Sequence, residues 1–190
     1  MPGRVAKPVE IFQIKVTLRD SRPPIWRCIQ VRSDSTLAEF HGILQCVMGW
    51  EDAHLHQFLI EGERYALPAK EDPWARQARD ERKYKLKDLD LSEDSEFLYT
   101  YDFGDNWEHI LEIEKALPPE EGARYPRCLA GARVCPPEDV GGIPGYENFL
   151  QALNDPNHPE HDEYLEWIGD TFDPVAFDLN EVNQRLSKPK

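Results

Sequence analysis

The sequence predicts an α+β protein, in which a β-grasp-like mixed sheet covers one helix and an acidic helical C-terminal part follows. Three patterns predict this class. Apolar and polar residues alternate at 11–18 and again at 97–113, which is typical of half-buried strands. Between them, residues 37–48 carry apolar side chains at helical spacing. The order strand, turn, strand, helix, strand and later strand pair is that of a β-grasp.

The first strand pair is predicted at residues 11–18 and 25–31. The turn between them contains Pro23 and Pro24. Proline has a fixed φ and no N–H to donate to a sheet, so the two prolines separate the strands.

The single helix of the predicted core has clear signals at both ends. Thr36 followed three residues later by Glu39 has the spacing of a capping box. Gly49 is placed to end the helix in a left-handed conformation. A third strand is expected at 55–60, and residues 68–85, rich in charge, are expected to form a surface excursion.

Residues 97–113 predict a β-hairpin with an aromatic face. The aromatic residues before the turn are Phe97, Tyr99, Tyr101 and Phe103. The Gly-Asp-Asn sequence at 104–106 is expected to supply the positive-φ and side-chain-capped conformations of a tight turn.

The C-terminal part has a different character. Residues 125–142 are dense in glycine and proline and predict an ordered irregular loop. Three helices are expected after it, one opening at Gly145, one stopping at Gly169 and one capped by Asp178. We expect a single domain, whose boundaries are 10–186, with the β-grasp-like core at 10–116 and the loop and acidic helices at 117–186.

The net charge of −14 is unevenly distributed. Residues 134–184 contain twelve Asp and Glu and no Lys or Arg, whereas residues 1–33 contain seven Lys and Arg against two acids. A strongly acidic chain is repelled by phosphate backbones, which disfavours extensive nucleic-acid binding. The basic segment has two interpretations: it faces the acidic part within the molecule, or it binds DNA. The arginines concerned are Arg19, Arg22, Arg27 and Arg32.

Composition also bears on the compartment. No apolar run approaches the ~20 residues of a membrane span, and the N-terminus lacks the apolar segment of a signal peptide. We therefore expect a cytoplasmic protein that does not bind membranes. Its four cysteines are expected to be reduced thiols or metal ligands.

The tip of the predicted hairpin is rich in oxygen ligands. Asp102, Asp105 and Glu108, joined by Glu138 and Asp139, would suit Mg²⁺ or Mn²⁺. With His109 they would also suit acid–base chemistry. The alternative is structural: aspartates cap such turns, and His109 shares its strand face with apolar residues.

Two histidines offer a second candidate. His54 and His56 lie at i and i+2, which on a strand directs both to the same side, where Asp52 can join them. The expected alternative is a pair of exposed strand histidines. If both candidates meet, they form one pocket from His54, His56, Tyr101, Asp102, Asp105, Trp107, His109, Glu138 and Asp139.

A third candidate is a zinc site made by Cys128, Cys135, His158 and His161. These residue types are the usual zinc ligands. The cysteines are separated by six residues, which departs from the two to four of common zinc modules. The alternative is two buried thiols in an ordered loop.

Several motifs in a fixed order resemble the plasmid pRiA4b ORF-3-like family over residues 10–186. They are Pro-Ile-Trp-Arg at 24–27, Met-Gly-Trp-Glu-Asp at 48–52, Tyr-Asp-Phe-Gly-Asp-Asn-Trp-Glu-His at 101–109 and Cys-Pro-Pro-Glu-Asp-Val-Gly-Gly at 135–142. The resemblance implies a bacterial or archaeal family that is mostly uncharacterised, some of whose members are labelled resolvases because of an association with mobile elements. A serine recombinase needs a serine among arginines, and none of the six serines has that setting.

No complete catalytic signature is present: P-loop, Gly-x-Ser-x-Gly and His-Glu-x-x-His motifs are all absent. The leading expectation is therefore a binding or interaction module with a protein partner and without catalysis of its own. The first alternative is a metal-binding domain or metal-dependent enzyme with a site near the hairpin tip, Asp102 to His109. The second alternative is a DNA-binding accessory protein.

Overall fold

The computed structural model describes residues 7–68, 77–169 and 172–188, and this part of the chain contains eight strands and four α-helices. The strands are β1 (Ile11–Leu18), β2 (Trp26–Arg32), β3 (His56–Ile60), β4 (Glu63–Ala66), β5 (Arg79–Asp80), β6 (Glu96–Tyr101), β7 (Trp107–Leu117) and β8 (Arg127–Ala132). The helices are α1 (Leu37–Met48), α2 (Gly142–Asn154), α3 (His161–Ile168) and α4 (Leu179–Leu186). Part of the predicted excursion, at 69–76, lies outside the described residues.

All eight strands form one sheet in the order β5-β4-β3-β6-β7-β1-β2-β8. Only the pair β4 and β5, at one edge, is parallel. The predicted α+β class with a mixed sheet is thus confirmed. The finer description, a β-grasp-like arrangement, is not confirmed. The central strands β1 and β7 of this sheet pair antiparallel.

Helix α1 packs on the sheet and closes the core. Phe40 stacks on Phe58 of β3 with ring centroids 5.8 Å apart. The capping box is confirmed, since the Thr36 hydroxyl accepts from the Glu39 N–H and the Glu39 carboxylate accepts from the Thr36 N–H. Gly49 ends the helix with φ 96°, as its position predicts.

Strand β8 corrects the prediction of an irregular loop at 125–142. Residues Arg127–Ala132 pair with β2 and extend the sheet. Small residues permit this, because a Cβ at Gly131 would lie 2.6 Å from the Phe177 ring and 2.9 Å from Arg27 Cδ. A glycine in a strand often marks such a close approach.

The β6–β7 hairpin is confirmed, but its turn is wider than predicted. Strand β6 ends at Tyr101, and Phe103 lies in the turn with 45% of its surface exposed, so the buried aromatic face stops before it. Positive φ occurs at Asp102 (55°) and Asn106 (55°) rather than at Gly104. Aspartate and asparagine tolerate this conformation because their short side chains bond locally.

The three predicted C-terminal helices are present, although α2 begins at Gly142, three residues before the expected Gly145. Asp178 caps α4 by accepting from the backbone N–H groups of Asn180 and Glu181. Helix α4 packs against α1 and β8. No helix of the described residues has the length and apolarity to cross a membrane.

Candidate functional site

The turn of the β6–β7 hairpin docks on the loop before α2. The Asp105 carboxylate accepts a hydrogen bond of 3.0 Å from the Gly141 N–H. Gly142, with φ 68°, lies so close that a Cβ would come within 2.4 Å of the Asp105 carbonyl oxygen. The docking therefore fixes residues 138–142 against the hairpin tip.

This docking brings three carboxylates around the His54 imidazole. His54 Nε2 lies 3.1 Å from Asp139 Oδ1, 3.7 Å from Asp102 Oδ2 and 3.8 Å from Glu138 Oε2. The nitrogen is buried, yet it has no hydrogen-bond partner of acceptable geometry. We call His54, Asp102, Glu138 and Asp139 the His54 cluster.

The backbone and Tyr101 hold the His54 cluster in place. Tyr101 donates to Glu138 Oε1 at 3.0 Å, and the same oxygen accepts from the Glu51 N–H at 2.7 Å. The Ala53 N–H donates to the Tyr101 hydroxyl. Burial raises the pKa of Tyr101 above its ordinary value, so the phenol keeps the proton that it donates. The Asp102 carboxylate also accepts from the Gly104 N–H at 2.8 Å.

The His54 cluster has the ligand chemistry of a cation site. Among the described residues, His54, Asp102 and Asp139 offer ligand atoms that all lie within 4.8 Å of one another. Asp102 and Glu138 are largely buried, with 11% and 17% of their side chains exposed, whereas Asp139 is 71% exposed. The described salt bridges pair none of these carboxylates with a lysine or arginine. Carboxylates this close together repel each other unless a cation lies between them.

His56 lies in a different cluster, so the two predicted histidines do not share one pocket. Its ring stacks on His41 of α1 with centroids 3.4 Å apart and an interplanar angle of 3°. His56 Nε2 bonds Glu81 at 2.9 Å, and His41 bonds Asp52 at 2.7 Å and Tyr99 at 2.8 Å.

In the second cluster, the histidine side chains already have hydrogen-bond partners within the protein. His41, Asp52 and His56 could also hold a metal ion by distance. However, the hydrogen bonds just described already occupy His41 on both ring nitrogens, and Glu81 is fully buried against His56. Burial and the neighbouring His56 lower the pKa of His41 to about 4, so its ring is neutral at pH 7. We interpret this cluster as a buried structural network.

The roles of His41 and Glu81 in this cluster were not predicted from the sequence. One signal was available for His41: Gln45 follows it by four residues on α1, and both are buried beside an apolar stripe. A polar pair at helical spacing next to a core face indicates a buried hydrogen-bond network. Glu81 gave no signal, because it lies in a single 3₁₀ turn within a charged segment.

Two predicted site residues belong to the core. Trp107 is 1% exposed and lies 5.9 Å from the ring of Trp50. His109 is fully buried, contacts Trp50 edge-on, and has its pKa lowered to about 4 by burial. It bonds no carboxylate; its Nδ1 lies 3.4 Å from the Tyr99 carbonyl. His109 therefore takes no part in the hairpin-tip site.

The structure does not bring the four predicted zinc ligands together. Neither ligand group within 4.8 Å among the described residues includes Cys128, Cys135, His158 or His161. Burial raises the pKa of Cys128, and raises that of Cys135 to about 11. His161 bonds the Ala152 carbonyl instead.

Three arginines of the basic N-terminal hairpin are paired within the molecule. Arg27 is 2% exposed and donates to the carbonyls of Val47, Trp26 and Ala132. Arg19 pairs with Glu108, and Arg32 forms a two-point contact with Asp34 at 2.9 Å. None of the described salt bridges joins residues 1–33 to the acids of 134–184, so that predicted pairing is not observed. Arg22 takes part in no described salt bridge.

Known proteins are similar to this chain in both sequence and fold. The family model described as plasmid pRiA4b ORF-3-like protein matches residues 10–181. An uncharacterised protein, y4hQ, of Sinorhizobium fredii (strain NBRC 101917 / NGR234) is 38% identical over 180 residues, which cover 93% of this chain and 90% of that protein. The crystal structure of MM3350, a protein of unknown function from Methanosarcina mazei Go1, has a TM-score of 0.83 and 39% identity and covers 92% of this chain and 98% of that chain. The resemblance seen in the motifs is thus confirmed, and the chain belongs to the plasmid pRiA4b ORF-3-like family.

Proposed function

We propose that this protein is a cytoplasmic metal-binding module without catalysis of its own, and that the His54 cluster binds one divalent cation. The single observation that carries the proposal is the position of His54 Nε2. It is a buried nitrogen without a hydrogen bond, and three carboxylates surround it at 3.1–3.8 Å.

The donor set indicates which cations fit. Carboxylate oxygens suit Mg²⁺, Ca²⁺ and Mn²⁺, whereas an imidazole nitrogen favours transition metals. One nitrogen with two or three carboxylates therefore favours Mn²⁺ or Zn²⁺ over Mg²⁺. His54 lies in the loop before β3 and Asp102 lies in the hairpin turn. Glu138 and Asp139 lie on the loop that docks on this turn, so cation binding would also stabilise the docking.

The hairpin-tip geometry favours binding over catalysis. The polar groups that surround the cluster hold it in place: Tyr101 donates to Glu138, and Asp105 accepts from Gly141. His109, the expected acid–base partner, lies in the core. A cytoplasmic location agrees with Cys28, Cys128 and Cys135, which are buried thiols in no disulfide.

A metal titration of tag-free protein tests the proposal. After treatment with a chelator, we expect isothermal titration calorimetry to show one equivalent of Mn²⁺ or Zn²⁺ bound, and weaker binding of Mg²⁺. The variants His54→Gln and Asp139→Asn should each weaken binding by roughly tenfold or more, which is the scale reported for disturbing a metal site. Circular dichroism should show that both variants remain folded.

His158→Gln is the matched control. His158 lies outside the cluster and accepts a hydrogen bond from the Glu160 N–H. Its loss should leave the affinity unchanged, and a loss of zinc with this variant would instead support the Cys/His site. The proposal is wrong if no cation binds at millimolar concentration, or if His54→Gln binds as tightly as the unchanged protein.

For the partner, we propose a protein rather than nucleic acid. The supporting observations are the net charge of −14 and the arginines of the N-terminal hairpin that are already held within the molecule. A DNA mobility shift at low salt that weakens steeply as salt is added would contradict this proposal and favour the DNA-binding alternative.

A further inference from the structure

A cavity of about 880 Å³ lies next to the His54 cluster. It is lined by the C-terminal end of α1, by the loop at 134–139 and by α4. Glu138 and Asp139 belong both to its lining and to the His54 cluster. Its volume lies within the range of pockets that enclose small organic molecules, roughly 300–1,000 Å³.

The walls of the cavity are largely aromatic and aliphatic. Three aromatic residues line it, Trp50, Phe172 and Phe177, together with apolar residues such as Ile168 and Val182. Aromatic rings carry negative potential on their faces, and rings arranged around a site are a known means of binding organic ammonium groups.

The charges of the lining are predominantly negative. Its carboxylates are Glu51, Glu138, Asp139, Asp178 and Glu181, and its guanidinium groups are Arg27 and Arg185. Three carboxylates therefore have no cationic counterpart in the lining. When Asp102 and a bound divalent cation are counted as well, the cavity and cluster still carry a formal charge of −2.

Both arginines of the lining already contact groups of the protein. Arg27 donates to backbone carbonyls and lies 4.8 Å from the centroid of the Phe177 ring. Arg185 Nη1 lies 3.6 Å from a carboxylate oxygen of Glu181, whereas its buried Nε has no hydrogen-bond partner. An anionic ligand would meet five carboxylates and only two guanidinium groups in the lining. A cationic ligand would meet an excess of opposite charge.

We propose that this cavity binds a small organic cation, a quaternary or protonated amine with an apolar body. The aromatic walls would enclose the apolar part, and Glu51 with the neighbouring carboxylates would neutralise the ammonium charge. This inference does not rest on a metal in the His54 cluster, because the charge of the lining is negative with or without one.

Matched ligands of opposite charge test the proposal. The probes are benzyltrimethylammonium and phenylacetate, which both carry one phenyl ring. With chelator present, nuclear magnetic resonance titration of the ¹⁵N-labelled protein should show the ammonium probe shifting signals of residues 49–53 and 134–139. Phenylacetate should leave these signals in place at the same concentration. Binding should weaken with added salt, since part of it is electrostatic.

Two variants locate the site. Glu51→Gln removes one exposed carboxylate and should weaken ammonium binding about threefold, the scale of one exposed charge pair. Phe172→Leu keeps an apolar side chain but removes a ring face, and should weaken it by a similar or larger factor. Glu163→Gln, on the exposed surface of α3 outside the lining, is the matched control and should have no effect.

The outcomes are distinct. Equal or tighter binding of phenylacetate, no shift with either probe at 10 mM, or equal weakening by Glu163→Gln would overturn the proposal. Repeating the titration without chelator and with one equivalent of diamagnetic Zn²⁺, which leaves neighbouring signals observable, separates the two sites. A protein that binds the ammonium probe but no Zn²⁺ keeps this inference and loses the proposed metal site, and the reverse result has the reverse meaning.

Discussion

The side chain of Asn183 occupies the outer edge of the sheet by bonding both backbone groups of Cys128. Its Oδ1 accepts from the Cys128 N–H at 2.9 Å, and its Nδ2 donates to the Cys128 carbonyl at 3.0 Å. Strand β8 is the last strand of the sheet, so this amide takes the place of a neighbouring strand. Open strand edges invite pairing with other chains, and α4 covers this one.

Asn183→Ala should therefore destabilise the protein and expose the edge. We expect a loss of about 1–3 kcal/mol in the free energy of unfolding, because two partly buried backbone groups lose their partner. Chemical denaturation measures the loss, and light scattering measures self-association. Asn180→Ala, an exposed position on the same helix, is the control; equal effects of the two substitutions would show that the amide of Asn183 is not responsible.

The stability of the fold should fall between pH 6.5 and pH 4. The folded protein lowers the pKa values of His41 and His109 from 6.5 to about 4, chiefly through burial. The unfolded chain then binds more protons in this window, so stability is complete above pH 6.5 and is lost as the pH falls towards 4. Each histidine would account for roughly 3 kcal/mol.

The substitution His109→Phe tests the histidine origin of this loss. Phenylalanine fills the buried site without titrating, so the variant should show about half the decrease of stability between pH 6.5 and 4. Urea denaturation at a series of pH values measures it. An unchanged slope would mean that His109 does not contribute to the acid sensitivity.

Gly142→Ala should disrupt the docking of the hairpin tip. A Cβ there would collide with the Asp105 carbonyl, and the residue also has φ 68°. We expect a cost of about 2–4 kcal/mol from backbone strain and overpacking, together with weaker metal binding. The control is Gly62→Ala, where φ is 80° but no atom lies within 4 Å of the new Cβ. If both variants lose the same stability, the collision with Asp105 does not matter.

Two glycines, one inside α1 and one at its C-terminal cap, should respond in opposite directions to alanine. Gly42 lies inside the helix with open space around a new Cβ, so Gly42→Ala should stabilise the protein by about 0.5–1 kcal/mol. Gly49 ends the helix at φ 96°, so Gly49→Ala should destabilise it by about 1 kcal/mol. Thermal unfolding measures both, and a melting temperature that moves the same way in both variants would contradict the assignment of the helix end.

Local patterns predicted the elements whose signals lie within a few residues. Strand β1 and both ends of α1 are where alternation, the capping box and Gly49 place them. Strand β8 could not be predicted in this way, because its composition of small residues serves contacts with Phe177 and Arg27 far away in the chain. The aromatic alternation also extended two residues too far, to Phe103, because periodicity does not indicate where a turn begins.

In the candidate site, too, the residue types were predicted from the sequence, whereas their convergence depends on tertiary contacts. Asp102, Glu138 and Asp139 were identified as oxygen ligands, but whether they meet depends on the docking of Asp105 onto Gly141. His54 and His56 were expected on one side of a strand. Strand β3 starts only at His56, so the alternation does not extend to His54, which turns to the hairpin tip.

The sequence by itself determined the α+β class, the family, the hairpin and both ends of α1, because hydrophobic periodicity and capping act over a few neighbouring residues. The tertiary structure alone decided that His41 stacks on His56, that His109 belongs to the core and that Cys128 and Cys135 are buried. These features depend on burial and on contacts between residues distant in sequence. Packing determines these features, and the spacing of residues along the chain does not indicate them.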